Sequence, residues 1–434
     1  MKVLILSMEA AGHFNACTGL AEILHKLGHQ VHYGLPDSAT DYVHGYDFMK
    51  LHLFKKKDDK VIENTMQKWA KDKDGKTYVF NLEPIDQIEG ISIGALQFFT
   101  RFNINYHESY EKLIKEISPD VICVDSYTQV PAIITSGIPW ILVYSANPLL
   151  AYQPLGAPPP FTGYALDEDP AKCEEYRKKR NECLKEGREA YAKWMASKGH
   201  VTDENSSELS PFLNIYAYPE DVDYSELGPV PEGWFRFEHF IRPVNDAPIG
   251  IDGEENLLTQ TSKKKVFFSL GSLGCRDENI FKKFIGYMSK SEHIFIISLG
   301  DAYGTVDLPS NVIGGKFLNQ LKLLPHVDLV VTHGGNNTFV ETLYHGKPLI
   351  VLPLFGDQHD NGRRVVDKKI GKCLKLYKVT EKEFLETVDE LLSDEELRKK
   401  VEKIGENMRK RQTIALQKFD EKLREICAKH QAKN

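Results

Sequence analysis

No stretch of this 434-residue chain approaches the roughly 20 consecutive apolar residues that a membrane-spanning helix requires, so no membrane partner is expected. Cysteine is sparse: seven residues, widely scattered and without a CxxC pair, which argues against a disulfide framework or a zinc ribbon and for reduced thiols in a cytosolic protein. Basic charge is not in excess. The net charge of -7 disfavours a polyanion, because nucleic-acid binding needs basic surface to displace counterions. The one lysine-rich string, "KKKDDK", reads as a solvated loop. Short-period repeats and low-complexity tracts are absent. No G-x-G-x-x-G follows either opening strand, and "GSLG" is too short a match, which argues against a nicotinamide-dependent oxidoreductase. The acidic strings "DKD", "DED" and "DVD" lack the strand-end context of a metal site and read as solvated acidic loops, so no metal is expected. The opening "MKVLILSMEAAGHF" has too short an apolar run for a secretory signal and reads as a strand; the expectation is a cytoplasmic protein, monomeric by default.

What is present is alternation. Short β-rich runs interleave with amphipathic helical stretches, which points to α/β architecture with parallel sheets. "KVLILS" precedes a helix whose Ala16, Leu20, Ile23, Leu24 and Leu27 share one face and which Gly28 closes. "VHYG", "VICVD", "WILVYS" and "LNIYAY" come next as strands. Long insertions separate them, including the proline- and aromatic-rich "NPLLAYQPLGAPPPFTGY" and a charged helix over about 169–199. "FEHFIRPVNDAPIGIDGEENLLTQTS" has linker composition, and "KKVFFSLGS" opens a second α/β series with "HIFIISLG", "NVIGG", "DLVVTHGG" and "KPLIVLPLF". Charged helices complete the chain. Length and pattern predict domains over 1–244 and 263–410, a linker over 245–262, and a terminal helix over 411–434. In such sheets ligands sit at the carboxyl ends of the strands.

Two groups of residues fall at those ends. In "VVTHGGNNTFVETLYHGKPLIVLPLFGDQ", His333 and Gly335 stand where a strand gives way to a helix from about Asn336. A helix N-terminus offers unpaired N–H groups and positive partial charge to a pyrophosphate. Asn337 and Thr338 add side-chain donors, and the Glu341 carboxylate suits ribose hydroxyls. Asp357 and Gln358 end the next strand, where an acid beside an amide can bracket sugar hydroxyls. In "KFLNQ", Phe317 has the flat ring to stack on a base and Gln320 the amide to bond base or ribose. Taken singly, each has an ordinary structural explanation as a cap, a loop residue or a core phenylalanine. The other group lies in the first half: His13 comes after the first strand in "AAGHFNA", and Asp125 ends "VICVD". A near-neutral histidine oriented by a carboxylate on its other nitrogen is what a general base requires.

The segment from Val330 to Gln358 resembles the signature of the UDP-glycosyltransferases, with "THGG", Thr338, Glu341, Pro348, Pro353 and the closing "DQ" at the family's spacings. The resemblance implies a GT-B fold: two facing Rossmann-like, doubly wound parallel-sheet domains, with a C-terminal helix crossing back to the first. It implies that Phe317 stacks on uracil and that Gln320 contacts the nucleoside. His333, Gly335, Asn337 and Thr338 fall on phosphate-binding positions, with Ser272 of "LGSLG" close to the β-phosphate. Glu341 falls on the ribose position, and Asp357 with Gln358 on the sugar positions. His13 and Asp125 match the family's base and its steadying carboxylate. The chain departs from the pattern at Asn319, where the family has proline, at Asn336, where plant members have tryptophan, and at Ala16, where a "GHxxP" proline is common. The expected activity is inverting, metal- and cofactor-free transfer of a hexose, glucose above all, from a UDP-sugar to a small lipophilic hydroxylated acceptor such as a flavonoid or xenobiotic. A detoxifying role is part of that expectation. The chain is similar to the soluble bacterial members and to those of plant-feeding mites rather than to the animal endoplasmic-reticulum enzymes. A UDP-sugar epimerase of the same architecture is the alternative, and a non-catalytic sugar-binding protein a third.

Overall fold

The computed structural model describes residues 1–43, 45–55, 79–201, 209–251, 258, 262–274 and 278–432. Two parallel sheets carry the chain. The first holds β1 (Lys2–Ser7), β2 (Gln30–Pro36), β3 (Lys50–Phe54), β4 (Val121–Asp125), β5 (Trp140–Tyr144), β6 (Leu213–Ala217) and β7 (Trp234–Phe237). Its spatial order is β3-β2-β1-β4-β5-β6-β7, with every neighbouring pair parallel. The second holds β8 (Lys265–Ser269), β9 (Ile294–Ser298), β10 (Val312–Gly315), β11 (Leu329–Thr332), β12 (Leu349–Val351) and β13 (Gly371–Cys373), in the order β10-β9-β8-β11-β12-β13. In each sheet the order reverses beside the first strand, which opens a crevice at the carboxyl edge. The fold is GT-B, as the sequence leads one to expect.

Burial explains the strand composition. In β1 every residue after Lys2 is buried, so both faces of the strand are apolar and the sequence reads as a continuous hydrophobic run. The principal helices of the first half are α1 (Ala11–Lys26), α2 (Ile93–Ile117) and α3 (Pro170–Ser197). Those of the second are α4 (Glu278–Met288), α5 (Asn336–Tyr344), α6 (Asp357–Asp367), α7 (Glu381–Ser393) and α8 (Glu395–Gln431). The stretch "ALQFFTRF", expected only as insertion material, belongs to α2. Its Phe98, Phe102, Tyr106 and Tyr110 recur every fourth residue and are all buried, a stripe that intervening polar residues conceal in the linear sequence. Strands β3, β7 and β13 were likewise not expected.

One continuous helix ties the halves together. Along α8, Val401, Ile404 and Met408 pack in the core of the second sheet, while Phe419, Leu423 and Cys427 pack in the core of the first. Between them Gln412 accepts from Glu238 N at 3.0 Å and donates to the His239 carbonyl at 3.0 Å. A division at 410 therefore falls inside a helix rather than at its start. The Asp394 side chain caps that helix by accepting from Leu397 N at 2.8 Å.

A polar seam along α6 joins the domains a second time. Asp360 accepts from Phe161 N at 2.6 Å and Gly163 N at 2.9 Å, both in the proline-rich loop of the first domain. Burial pushes its carboxyl up to about 7, although those N–H groups favour the charged form. Arg364, 1% exposed, donates to the carbonyls of Val222 and Asp223 and lies over the Tyr224 ring. "DVD" therefore departs from the solvated loop expected of it. Asp223 is 0% exposed and accepts from Tyr216 and Tyr152, because the chain needs an acceptor for two buried phenols. In "DED", Asp169 caps α3. "DKD" and all of "KKKDDK" after Lys55 lie outside the described residues.

Candidate active site

Asp125 is the last residue of β4 and pairs in register with Ser7, the last residue of β1. The chain then turns into α1, which places His13 in the first turn of that helix, directly above the same sheet edge. His13 Nδ1 lies 2.8 Å from Asp125 Oδ2 and 2.9 Å from Ser145 Oγ, just past β5. A carboxylate can only accept, so the ring proton sits on Nδ1 and Nε2 keeps its lone pair. Among the described residues Nε2 has no hydrogen-bond partner. Burial disfavours charge on the ring, but the charge and hydrogen bond of Asp125, with a smaller push from Asp357, outweigh it and raise the His13 pKa above 6.5. Tyr127 stands edge-on to the imidazole at 5.4 Å, and Phe99 and Tyr144 continue this aromatic wall.

Opposite lies the start of α5. Gly335 is its N-cap, and among the described residues no side chain caps the helix. His333 sits in a slot between two glycines: a Cβ at Gly271 or at Gly335 would fall 2.6 Å from its ring. Gly334 adopts φ +87°, where any other residue would be strained. Burial holds the His333 pKa down at about 4, so the ring is neutral and donates through a single N–H. Ser272 belongs to the helical turn Gly271–Gly274, and its side chain lies outside the described residues.

The remaining donor-side candidates cluster along the same edge. Gln320 Nε2 donates to Thr338 Oγ1 at 3.3 Å and, closely, to Glu341 Oε2. Glu341 is 3% exposed; burial raises its pKa, while Arg242 and Gln320 act the other way. Phe317 is 70% exposed, which rules out a core role, and the Lys316 ammonium lies 5.8 Å from its ring centre. Asp357 accepts from Asn147 N at 3.1 Å, and burial pushes its carboxyl up to about 6 against the pull of that N–H and of His13. Gln358 turns its oxygen onto Leu354 N and Phe355 N, at 2.9 and 3.2 Å, so only its NH2 is left to donate. Asn337 reaches across the cleft and donates to the Gly12 carbonyl at 2.6 Å, bringing the start of α5 against the start of α1. Both domains thus present their carboxyl edges to one crevice.

The family model for UDP-glucoronosyl and UDP-glucosyl transferase matches residues 241–415, the half that carries β8 to β13. Demethyllactenocin mycarosyltransferase of Streptomyces fradiae is 24% identical over 416 residues, covering 93% of this chain and 82% of that one. NDP-glycosyltransferase YjiC of Bacillus subtilis is 24% identical over 417 residues, covering 93% of this chain and 92% of its own. Among solved structures, glycosyltransferase VinC superimposes with a TM-score of 0.68 at 16% identity, over 99% of this chain and 100% of that one. The chain carries a UDP-glycosyltransferase family domain over residues 241–415. It is therefore a glycosyltransferase acting on a nucleotide-sugar donor and an acceptor. Among the described residues no helix is long and apolar enough to cross a membrane.

Further residues join this cleft, and Ser145, Asn147 and Asn361 among them are not singled out by the sequence. Ser145 shares the His13 nitrogen, and the Asn147 side chain donates to Asn361 at 2.9 Å and to Tyr218 at 3.2 Å. Asn361 in turn donates to the Gly334 carbonyl at 2.9 Å, so one buried amide locks the turn before α5 to the first domain. Asn336 donates across the cleft towards the carbonyls of Ser145 and Ala217. Asn319 donates to Asn245 Oδ1 at 3.0 Å and thereby ties the Phe317 loop to the linker. The available signal was position: Ser145 and Asn147 come just after the end of β5, and Asn361 lies one turn after Asp357.

Proposed function

We propose that the protein moves a hexose, glucose in the first instance, from UDP to a hydroxyl of a small lipophilic acceptor, with inversion and with His13 as general base. The observation that carries this reading is the His13–Asp125 pair: Nδ1 is committed at 2.8 Å, which leaves the Nε2 lone pair to take a proton. In the proposed reaction the acceptor oxygen attacks the anomeric carbon as Nε2 takes its proton. The bond from that carbon to the diphosphate oxygen breaks on the opposite face. Asp125 stabilises the imidazolium that forms. The departing diphosphate gains negative charge, which the α5 N–H groups and the His333 N–H are placed to offset. Asp357 and the Gln358 amide hold the hexose hydroxyls, Phe317 stacks on the base, and the Tyr127, Phe99 and Tyr144 rings give the acceptor an apolar wall.

The aromatic wall and the family domain support a lipophilic acceptor. The donor needs direct test, because VinC was solved with dTDP and relatives carry names such as mycarosyltransferase. Incubation with mixed nucleotide sugars and a panel of phenols, read by mass spectrometry, should yield acceptor plus hexose with UDP-glucose preferred. Preference for UDP-glucuronate or for a thymidine-linked sugar would refute the donor assignment. An isomerised sugar without any glycoside would refute the transfer.

A further inference from the structure

We propose that Arg242 is a positioning residue for the nucleotide's ribose: from the end of the first domain it holds the Glu341 carboxylate of the second, and so sets a preference for ribonucleoside over 2′-deoxyribonucleoside diphosphates. The inference rests on the donor-site reading above and adds a residue and a selectivity to it. Arg242 Nη1 lies 3.3 Å from Glu341 Oε1, and the guanidinium side chain is 19% exposed. Glu341 Oε2 is held from the other side by Gln320 Nε2. A carboxyl this deeply buried takes up a proton unless a cation and hydrogen-bond donors favour the ionised form. Arg242 is the cation that fulfils this role, and it approaches from the opposite domain. The backbone beside it is fixed, since Tyr46 donates its hydroxyl proton to the Pro243 carbonyl at 3.1 Å.

The geometry gives this pairing a consequence for the ligand. Glu341 borders the interdomain crevice together with Asn337 and Ser145. Among the described residues each carboxylate oxygen has one protein donor, which leaves a second lone pair on each to accept from two vicinal hydroxyls. Removing the 2′-hydroxyl deletes one such charge-assisted bond, equivalent to about tenfold in affinity. Without Arg242 the carboxyl is no longer reliably charged. Both nucleotides then meet a weaker acceptor, and the contrast between them shrinks.

Calorimetry with UDP and 2′-deoxyuridine diphosphate on the full chain tests the assignment. The wild type is expected to favour UDP by about tenfold. Arg242→Met should bring the two within about twofold, mainly by weakening UDP, and Arg242→Lys should restore most of the contrast. A purely structural role for Arg242 would weaken both nucleotides together and leave their ratio unchanged. An unchanged ratio in an Arg242→Met protein that still binds UDP overturns the proposal, as does a wild type that does not discriminate. If Arg242→Met fails to fold, Arg242→Gln replaces it with the same criterion. Absence of UDP binding to the wild type would instead overturn the donor-site reading from which the proposal starts.

Discussion

Replacing Asp125 with asparagine changes few atoms and removes both influences that the structure assigns to it. The side chain is 0% exposed, its Oδ2 receives the His13 Nδ1 proton at 2.8 Å, and its Oδ1 has no hydrogen-bond partner among the described residues. In Asp125→Asn the charge-assisted bond, worth about 1.5–3 kcal/mol, is lost, which corresponds to about 10- to 150-fold in rate. If the new amide NH2 points at Nδ1, the ring proton moves to Nε2 and the base is disabled. In another enzyme's His–Asp pair the same exchange costs about 10^4-fold. The expected loss in kcat/KM is therefore between about 10^2- and 10^4-fold, with the donor KM little changed because Asp125 faces the acceptor-side base. The pH profile must move as well. In the wild type His13 has to be neutral to accept a proton, so kcat/KM rises with pH through a midpoint above 6.5. Without Asp125, burial dominates, the His13 pKa falls, and the midpoint shifts to lower pH. Initial transfer rates from pH 5 to 9 on folded protein measure both effects. A midpoint that stays in place, or a loss below about threefold, would refute the proposed role of the pair.

Three further outcomes are expected. Asp357→Asn removes a smaller source of negative potential at His13, so its residual activity should show a midpoint displaced to lower pH, by less than in Asp125→Asn; a rise would contradict the electrostatics. Phe317→Ala should raise the UDP-sugar KM by about 5- to 150-fold, the range for one base–aromatic stack, while thermal melting is unaffected because the ring is 70% exposed. Phe419→Ala empties a fully buried site on the crossing half of α8 and should cost about 3–5 kcal/mol in chemical denaturation; a loss under about 1 kcal/mol would mean that this half of the helix does not hold the first domain.

The parts of this molecule that are legible in sequence are those whose physics is local. β1 and β11 are short apolar runs, and the helix after each begins within a few residues, so His13 and the stretch from His333 to Glu341 could be placed at sheet edges from composition alone. Asp125 is 112 residues from His13, yet its position at a strand end suggested the pairing that the geometry contains. The terminal helix could be read as helical, but not as continuous across both cores, because Phe419 and Leu423 recur as sparsely as Ile404 and Met408 before them. Contacts between the domains were illegible. Asn147, Asn361 and Arg242 are ordinary loop, helix and linker residues until the two sheets face each other, and no periodicity encodes that docking. Asp223 reads as solvated for a different reason: its burial depends on packing within the first domain, where its partner Tyr152 is 71 residues away in the chain.

The central claim, that a base in the first domain acts on a sugar held by the second, is tested most directly by comparing wild type with His13→Ala in two measurements on the same samples: UDP binding by calorimetry, and glycoside formation from UDP-glucose by mass spectrometry. The expected result is UDP affinity within about twofold between the two proteins and glycoside formation reduced by about 10^2-fold or more in His13→Ala. Equal turnover by the two proteins, or turnover without any binding of UDP, would contradict it.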